Sequence, residues 1–211
     1  MNIAAFGCSF TWGLELDDPS TQSWPALLGA TNLGQCAASN QTIVRTLLDY
    51  LVNHAPDLVV VMWTYPARFE FVIDNNNFVS THINTTISLD GLPVPDYVDT
   101  FRETFFKTTA CTDSAYVYTS LMAMHHAESV LKCQGIPYIF TRVADFDINS
   151  SCHVGLQRLY RAYAPDMTLF NGQSFEQYAR STGSWGKSHP LSRAHQDIAT
   201  LLQQQITSIT Q

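Results

Sequence analysis

The sequence predicts an α/β fold, a three-layer α/β/α sandwich around a mostly parallel sheet. Two observations carry that reading. Short apolar runs alternate along the chain with segments of helical periodicity, the order expected of strand-helix-strand units. The run Leu58-Val59-Val60-Val61-Met62-Trp63 is apolar without alternation, as a parallel strand covered on both faces requires. A length of 211 residues with 45% hydrophobic content suits one sizeable core, so a single domain over 1–211 is expected.

The elements follow in order. Ile3-Ala4-Ala5-Phe6 is a first strand stopped by Gly7, a residue that tolerates positive φ where the chain turns sharply, and Ser9 then stands on an exposed turn above the sheet. Ser20 to Ala30 reads as a short helix, and Asn32-Leu33-Gly34 as a brief second strand. Ile43, Val44, Leu47, Leu48, Leu51 and Val52 form one apolar helical face, with Ser39 or Asn40 as N-cap and Pro56-Asp57 as the stop. Leu58–Trp63 is then the central strand.

Helical periodicity vanishes from Tyr65 to about Asp99, where Phe69–Ile73 and Phe78–His82 flank Asp74-Asn75-Asn76-Asn77 as a β-hairpin. This segment is expected to be an insertion near the site. Helices are expected from about Tyr97 to Lys107 and from Asp113 to Gln134, the second ended by Gly135. Pro137–Thr141 reads as a fourth strand, Met167–Phe170 as a fifth, and the segment from Pro190 as a terminal amphipathic helix bearing Leu191, Ala194, His195, Ile198 and Leu202.

A formal charge of −7 with only 11 Lys and Arg argues against nucleic-acid or anionic-membrane partners and favours a neutral or weakly polar substrate. No stretch approaches the ~20 apolar residues of a membrane span, and no signal peptide is visible, so a cytoplasmic or virion-associated location is expected. Cys8, Cys36, Cys111, Cys133 and Cys152 lack C-x-x-C spacing, which points to free thiols rather than disulfides or zinc. His125-His126 sits mid-helix without acidic or cysteine partners at ligand spacing, and neither a metal nor any other cofactor is expected.

In open parallel sheets ligands bind beyond the carboxyl ends of the strands. Ser9, the Gly34 to Asn40 loop and Trp63-Thr64-Tyr65 all fall there. A serine hydroxyl needs a base during attack, and His189 in Ser188-His189-Pro190 is the residue chosen for it. The Ser9 amide, amides near Ala37 and Ala38, and the Asn40 side chain would steady a developing oxyanion. The bland alternatives are Ser9 as a turn residue and His189 as a helix cap ahead of proline. Cys8 should point into the core and His195 should be packed. Arg68 and Glu70 would touch substrate or each other, and Trp12, Trp63 and Tyr65 would form an aromatic wall or belong to the core.

These blocks resemble the SGNH (GDSL-like) hydrolases: Gly7-Cys8-Ser9-Phe10 is similar to the first, Asn32 to Asn40 to the second with Ala37 where glycine is usual, and His189-Pro190 to the ending. The resemblance implies a flavodoxin-like sheet and an esterase with Ser9 as nucleophile and His189 as base. It further implies small O-acyl groups, such as acetyl esters on carbohydrate, as substrate. Two positions depart from the pattern. Thr64 stands where the third block offers Asn, so Thr64 or Asn40 must substitute or that donor is absent. Gly186 stands where an acid normally precedes the histidine by three. Asp145, Asp147 or a backbone carbonyl would orient the imidazole, or a Ser/His dyad remains.

The pattern looks most like divergent bacteriophage members of this group, for which virion or self-association would be in character. The rival expectation is an inactive SGNH-like scaffold serving as a phage structural or glycan-binding protein. A nucleotide-binding flavodoxin-like domain ranks last, because no phosphate-cradling glycine loop is present.

Overall fold

The structure is a computed structural model that describes residues 1–73, 77–82, 85–89, 93–108, 113–146, 153–163 and 169–210. The chain order is β1 (Ile3–Gly7), α1 (Ser9–Trp12), α2 (Pro19–Gln22), α3 (Trp24–Leu27), β2 (Thr31–Gly34), α4 (Asn40–Asn53), β3 (Leu58–Trp63), β4 (Phe69–Ile73), β5 (Asn77–His82), β6 (Thr85–Ser88), α5 (Tyr97–Thr108), α6 (Asp113–Gln134), β7 (Tyr138–Arg142), α7 (Val154–Tyr163), α8 (Phe175–Ser181) and α9 (Ser192–Thr210). Four parallel strands lie in the order β2-β1-β3-β7. Every residue of β1 and β3 is buried. Burial on both faces is why these strands read as unbroken apolar runs.

Two helix groups cover the sheet. α4 packs with α6 and on β1 and β3, while α9 packs with α3 and α8. α4 starts at a capping box, in which Ser39 Oγ accepts from the Thr42 amide while Thr42 Oγ1 accepts from the Ser39 amide. Strand order reverses between β1 and β3, and ligands of such sheets gather at that crevice.

Several expectations need correction. Gly7 does not have positive φ. It is required for close approach, because a Cβ there would run into the Thr11 side chain and the Met62 carbonyl. The helix expected over Ser20 to Ala30 is two short turns broken at Ser23, where Pro25 cannot donate to continue a helix from α2. The hairpin of β4 and β5 is joined by β6 into a separate antiparallel sheet, and Phe69, Phe71, Phe105, Phe106 and Tyr116 pack it against α5 and the start of α6. Of the expected fifth strand, Met167 and Thr168 lie outside the described residues, and Phe170 makes an isolated bridge to Gln173 that does not join the sheet.

His195 is wholly buried on the apolar face of α9, where Nδ1 accepts from the Trp24 amide at 3.1 Å. Burial, aided by the nearby His189, pushes its pKa down to about 4. The unfolded chain therefore binds this proton from pH 6.5 downward while the fold resists it. Stability should fall by roughly 3 kcal/mol as pH drops from 6.5 to 4 and change little through this group below that. His82 shifts in the same direction, so the comparison with His195→Gln isolates the effect. Denaturant titrations at pH 7 and pH 4.5 should show a smaller acid loss in the variant, and an equal loss would contradict this assignment.

Candidate active site

The site forms where both ends of the chain meet above β1. Ser9 is the first residue of α1 and, contrary to the exposed turn expected, is only 3% exposed. Cys8 beside it points into the core and is fully buried. His189 comes from a tight hairpin ahead of α9, closed by a Trp185–Pro190 bridge and by the Gly186 amide donating to the His189 carbonyl at 2.8 Å. Ser184 holds the base of that hairpin, donating to Leu191 O and accepting from the Ala194 amide. The outcome is a 2.8 Å hydrogen bond between Ser9 Oγ and His189 Nε2, with the imidazole tilted against Phe10 at 5.1 Å between ring centres.

The other imidazole nitrogen meets a residue that the sequence reading missed. His189 Nδ1 lies 3.2 Å from Glu15 Oε1. Ser188 Oγ is 2.8 Å from Nδ1 and donates to the same carboxylate oxygen at 2.7 Å, adding a bridged path beside the direct one. The carboxylate also accepts from the Lys187 amide at 2.7 Å and the Ser188 amide at 3.0 Å. The Ser188 hydroxyl is the largest cause holding the Glu15 pKa down at about 2, with His189 and the two amides adding to it against partial burial. Glu15 is therefore anionic throughout the neutral range.

Glu15 and Gly186 are two sides of one exchange. A Cβ on Gly186 would collide with Glu15 Oε2, so the glycine that replaces the expected acid also clears the space into which Glu15 reaches. Glu15 itself has φ +73°, a left-handed conformation costing a side chain about 1–2 kcal/mol. The sequence signal for it was weak: a lone acid between Leu14 and Leu16, detectable only by asking what fills the volume left empty at Gly186.

The proposed orienting residues fall elsewhere. Asp145 pairs with Arg142 at 2.7 Å and accepts from Gln177, away from His189. Asp147 lies outside the described residues.

The oxyanion candidates also divide. Ala37 has φ +64°, a left-handed conformation that favours glycine, and its amide has no partner among the described residues. The Ser9 amide at the start of α1 is likewise unengaged. Ala38, by contrast, donates its amide to Gln35 O at 3.2 Å. Asn40 is buried with both side-chain donors engaged, on Thr64 O at 3.2 Å and Ser120 Oγ at 2.9 Å, while its oxygen accepts from the Thr64 amide at 2.8 Å. It ties α4 to the end of β3 and α6 and has no donor left for substrate. Thr64 Oγ1 accepts from Arg68 at 3.0 Å, which leaves the hydroxyl proton free to point elsewhere.

Arg68 and Glu70 do not pair; Glu70 is held by Arg45 at 2.9 Å, and Arg68 reaches Ala38 O and Thr64. Trp63 is core, edge-on to Phe140, and Trp12 is 41% exposed. Tyr65 remains at the rim, edge-on to Phe10 and donating to Glu176 at 2.6 Å. His125 and His126 are both exposed.

A family model described as "Family of unknown function (DUF6071)" matches residues 15–208. The chain belongs to that family. The match includes Glu15 and His189 and begins after Ser9. No curated protein sequence matches the chain.

Solved structures do resemble it. The psychrotrophic esterase EstA of Pseudoalteromonas sp., in a structure inhibited by monoethylphosphonate, is 10% identical with a TM-score of 0.57, covering 99% of this chain and 98% of that one. A member of the lipolytic protein G-D-S-L family from Veillonella parvula DSM 2008 is 16% identical with a TM-score of 0.51, covering 97% of each chain. A two-domain esterase active on acetylated mannans, co-crystallized with mannopentaose, is 14% identical with a TM-score of 0.51; the match covers 99% of this chain and 49% of that one. At these identities the likeness is one of fold, and the fold is that of the SGNH hydrolases. The organisms named are bacteria, so the bacteriophage placement rests on the sequence resemblance. Among the described residues no helix is long and apolar enough to cross a membrane.

Because Asn40 meets three buried polar groups, Asn40→Ala should destabilise the fold by about 3 kcal/mol, read as a lower denaturant midpoint. A loss under about 1 kcal/mol would show that water replaces those bonds at little cost.

Proposed function

We propose that the protein is a carboxylic ester hydrolase in which Ser9 is the nucleophile, His189 the general base and acid, and Glu15 the carboxylate that orients and steadies the imidazole. The observation that carries this reading is the continuous path from Ser9 Oγ to His189 Nε2 at 2.8 Å and from His189 Nδ1 to Glu15 at 3.2 Å. Ser9 Oγ attacks the acyl carbon as its proton passes to Nε2. The resulting imidazolium keeps its Nδ1 proton, which faces Glu15 directly and through Ser188. Negative charge on the former carbonyl oxygen is met by the Ser9 and Ala37 amides and the Thr64 hydroxyl, donors of a kind each worth about 3 kcal/mol of barrier where measured. Collapse expels the alcohol, which takes the proton from His189, and water then releases the acid by the same steps in reverse roles.

An O-acylated carbohydrate, with acetyl as the acyl group, is the substrate class this reading favours. The fold it shares with an esterase active on acetylated mannans supports that choice. The inactive-scaffold reading drew half of its weight from Gly186, and Glu15 supplies the carboxylate that Gly186 lacks.

Hydrolysis of a chromogenic acetyl ester tests the assignment. Ser9→Ala and His189→Ala should each lower kcat by roughly 10⁴-fold or more. Glu15→Gln presents an amide N–H to Nδ1 and favours the wrong tautomer, so it should cost about 10²–10⁴-fold with the fold intact by circular dichroism. Turnover within tenfold of wild type in a folded variant removes that residue from the mechanism.

A further inference from the structure

A cavity of about 330 Å³ opens beside the Ala37 loop, lined by Ala37, Tyr65, Arg68, Ser80, His82 and Ile87. Most of its wall comes from the segment inserted after β3, whose β5 is tied to the loop by Ser80 Oγ donating to Ala37 O at 2.7 Å. Ala37 places this cavity against the candidate oxyanion loop, and its Tyr65 ring packs on Phe10, which in turn packs on His189. Its size lies at the small end of ligand pockets, sufficient for one ring-sized group.

Arg68 is the unusual member of that wall. Among the described arginines withdrawn from solvent, Arg45, Arg102 and Arg142 each pair with a carboxylate. Among the described residues Arg68 has only neutral partners. Its Nη1 donates to Ala38 O at 3.2 Å and to Thr64 Oγ1 at 3.0 Å, and the guanidinium lies 5.0 Å over the Tyr65 ring. These contacts fix the plane of the group. Among the described residues its Nε and Nη2 have no partner, and neither is sealed from solvent. That edge is the fork that takes a carboxylate through two parallel hydrogen bonds. Burial and the Arg68 charge keep the His82 ring below its ordinary pKa, so a neutral imidazole stands beside the guanidinium rather than a second cation or an anion.

We infer that the site takes an O-acylated acidic sugar, whose carboxylate seats on the Nε–Nη2 edge of Arg68 while its ester reaches Ser9. This inference rests on the hydrolase reading for the ester and on Arg68 alone for the acid. It also refines the expectation of a neutral substrate drawn from the net charge, which describes the whole surface and not one cavity.

The test separates the two parts. The Ser9→Ala protein, titrated calorimetrically with glucuronate and with glucose, should bind the uronate about 10- to 100-fold more tightly, the worth of a charge-assisted contact. Adding Arg68→Gln should abolish that preference. Arg68→Lys keeps the charge and loses the fork, and it should retain a reduced preference, which serves should the Gln variant fail to fold. Equal affinity for the two sugars, binding of neither, or a preference that survives Arg68→Gln overturns the inference. Uronate binding through Arg68 in a protein that hydrolyses no acetyl ester would leave the acid subsite standing and remove only the hydrolase reading.

Discussion

The carboxylate of Glu15 is the point on which the site's geometry depends. It stands just after α1 and is gripped by two backbone amides, one hydroxyl and an imidazole from residues 187–189, more than 170 positions later in the chain. A carboxylate accepting several such bonds stays ionised and gives the loop that carries His189 a fixed partner. Without it the hairpin at 185–190 would lose its anchor to the start of the chain. The Ser9 hydroxyl and the His189 imidazole are thus brought together by a contact that also sets the imidazole's orientation. Position 186 takes part by having no side chain, because any Cβ there would occupy the carboxylate's place.

Much of the frame was legible in the sequence because burial on two faces leaves no ambiguity. β1 and β3 are continuous apolar runs, α4 carries a clear three-four apolar face behind a capping serine, and the rim at their ends follows from sheet topology. Ser9 and His189 were legible as a pair because each sits in a local motif. Glu15 was not, since its role is set by a contact across the whole chain and nothing in Leu14-Glu15-Leu16 marks it. Asn40 shows the opposite failure. Its position suggested an oxyanion donor, but a buried amide must satisfy its own donors first, and Thr64 and Ser120 take both. Asp145 was likewise claimed by Arg142, a pairing invisible until β7 and the loop after it were in place. Short helices such as α1 and α8 have too few residues to show a period.

The segment after β3 forms a second, antiparallel sheet beside the site. Its three antiparallel strands carry their own aromatic cluster against α5, so the sheet can hold Ser80 and His82 against the Ala37 loop without borrowing from the main core. Arg68 joins the two parts. Its bonds to Ala38 and Thr64 tie this segment to the candidate oxyanion loops, and its open edge gives the cavity a cationic wall. Electrostatics at this scale is decided by which carboxylates are near and not by the sum over the surface.

Reaction with a fluorophosphonate, followed by mass mapping of the modified peptide, tests the central claim most directly. A serine activated through His189 and Glu15 forms one phosphonyl adduct, located on Ser9 and lost in folded His189→Ala protein. A folded wild-type protein that gains no adduct, or gains one on another residue, would contradict the account.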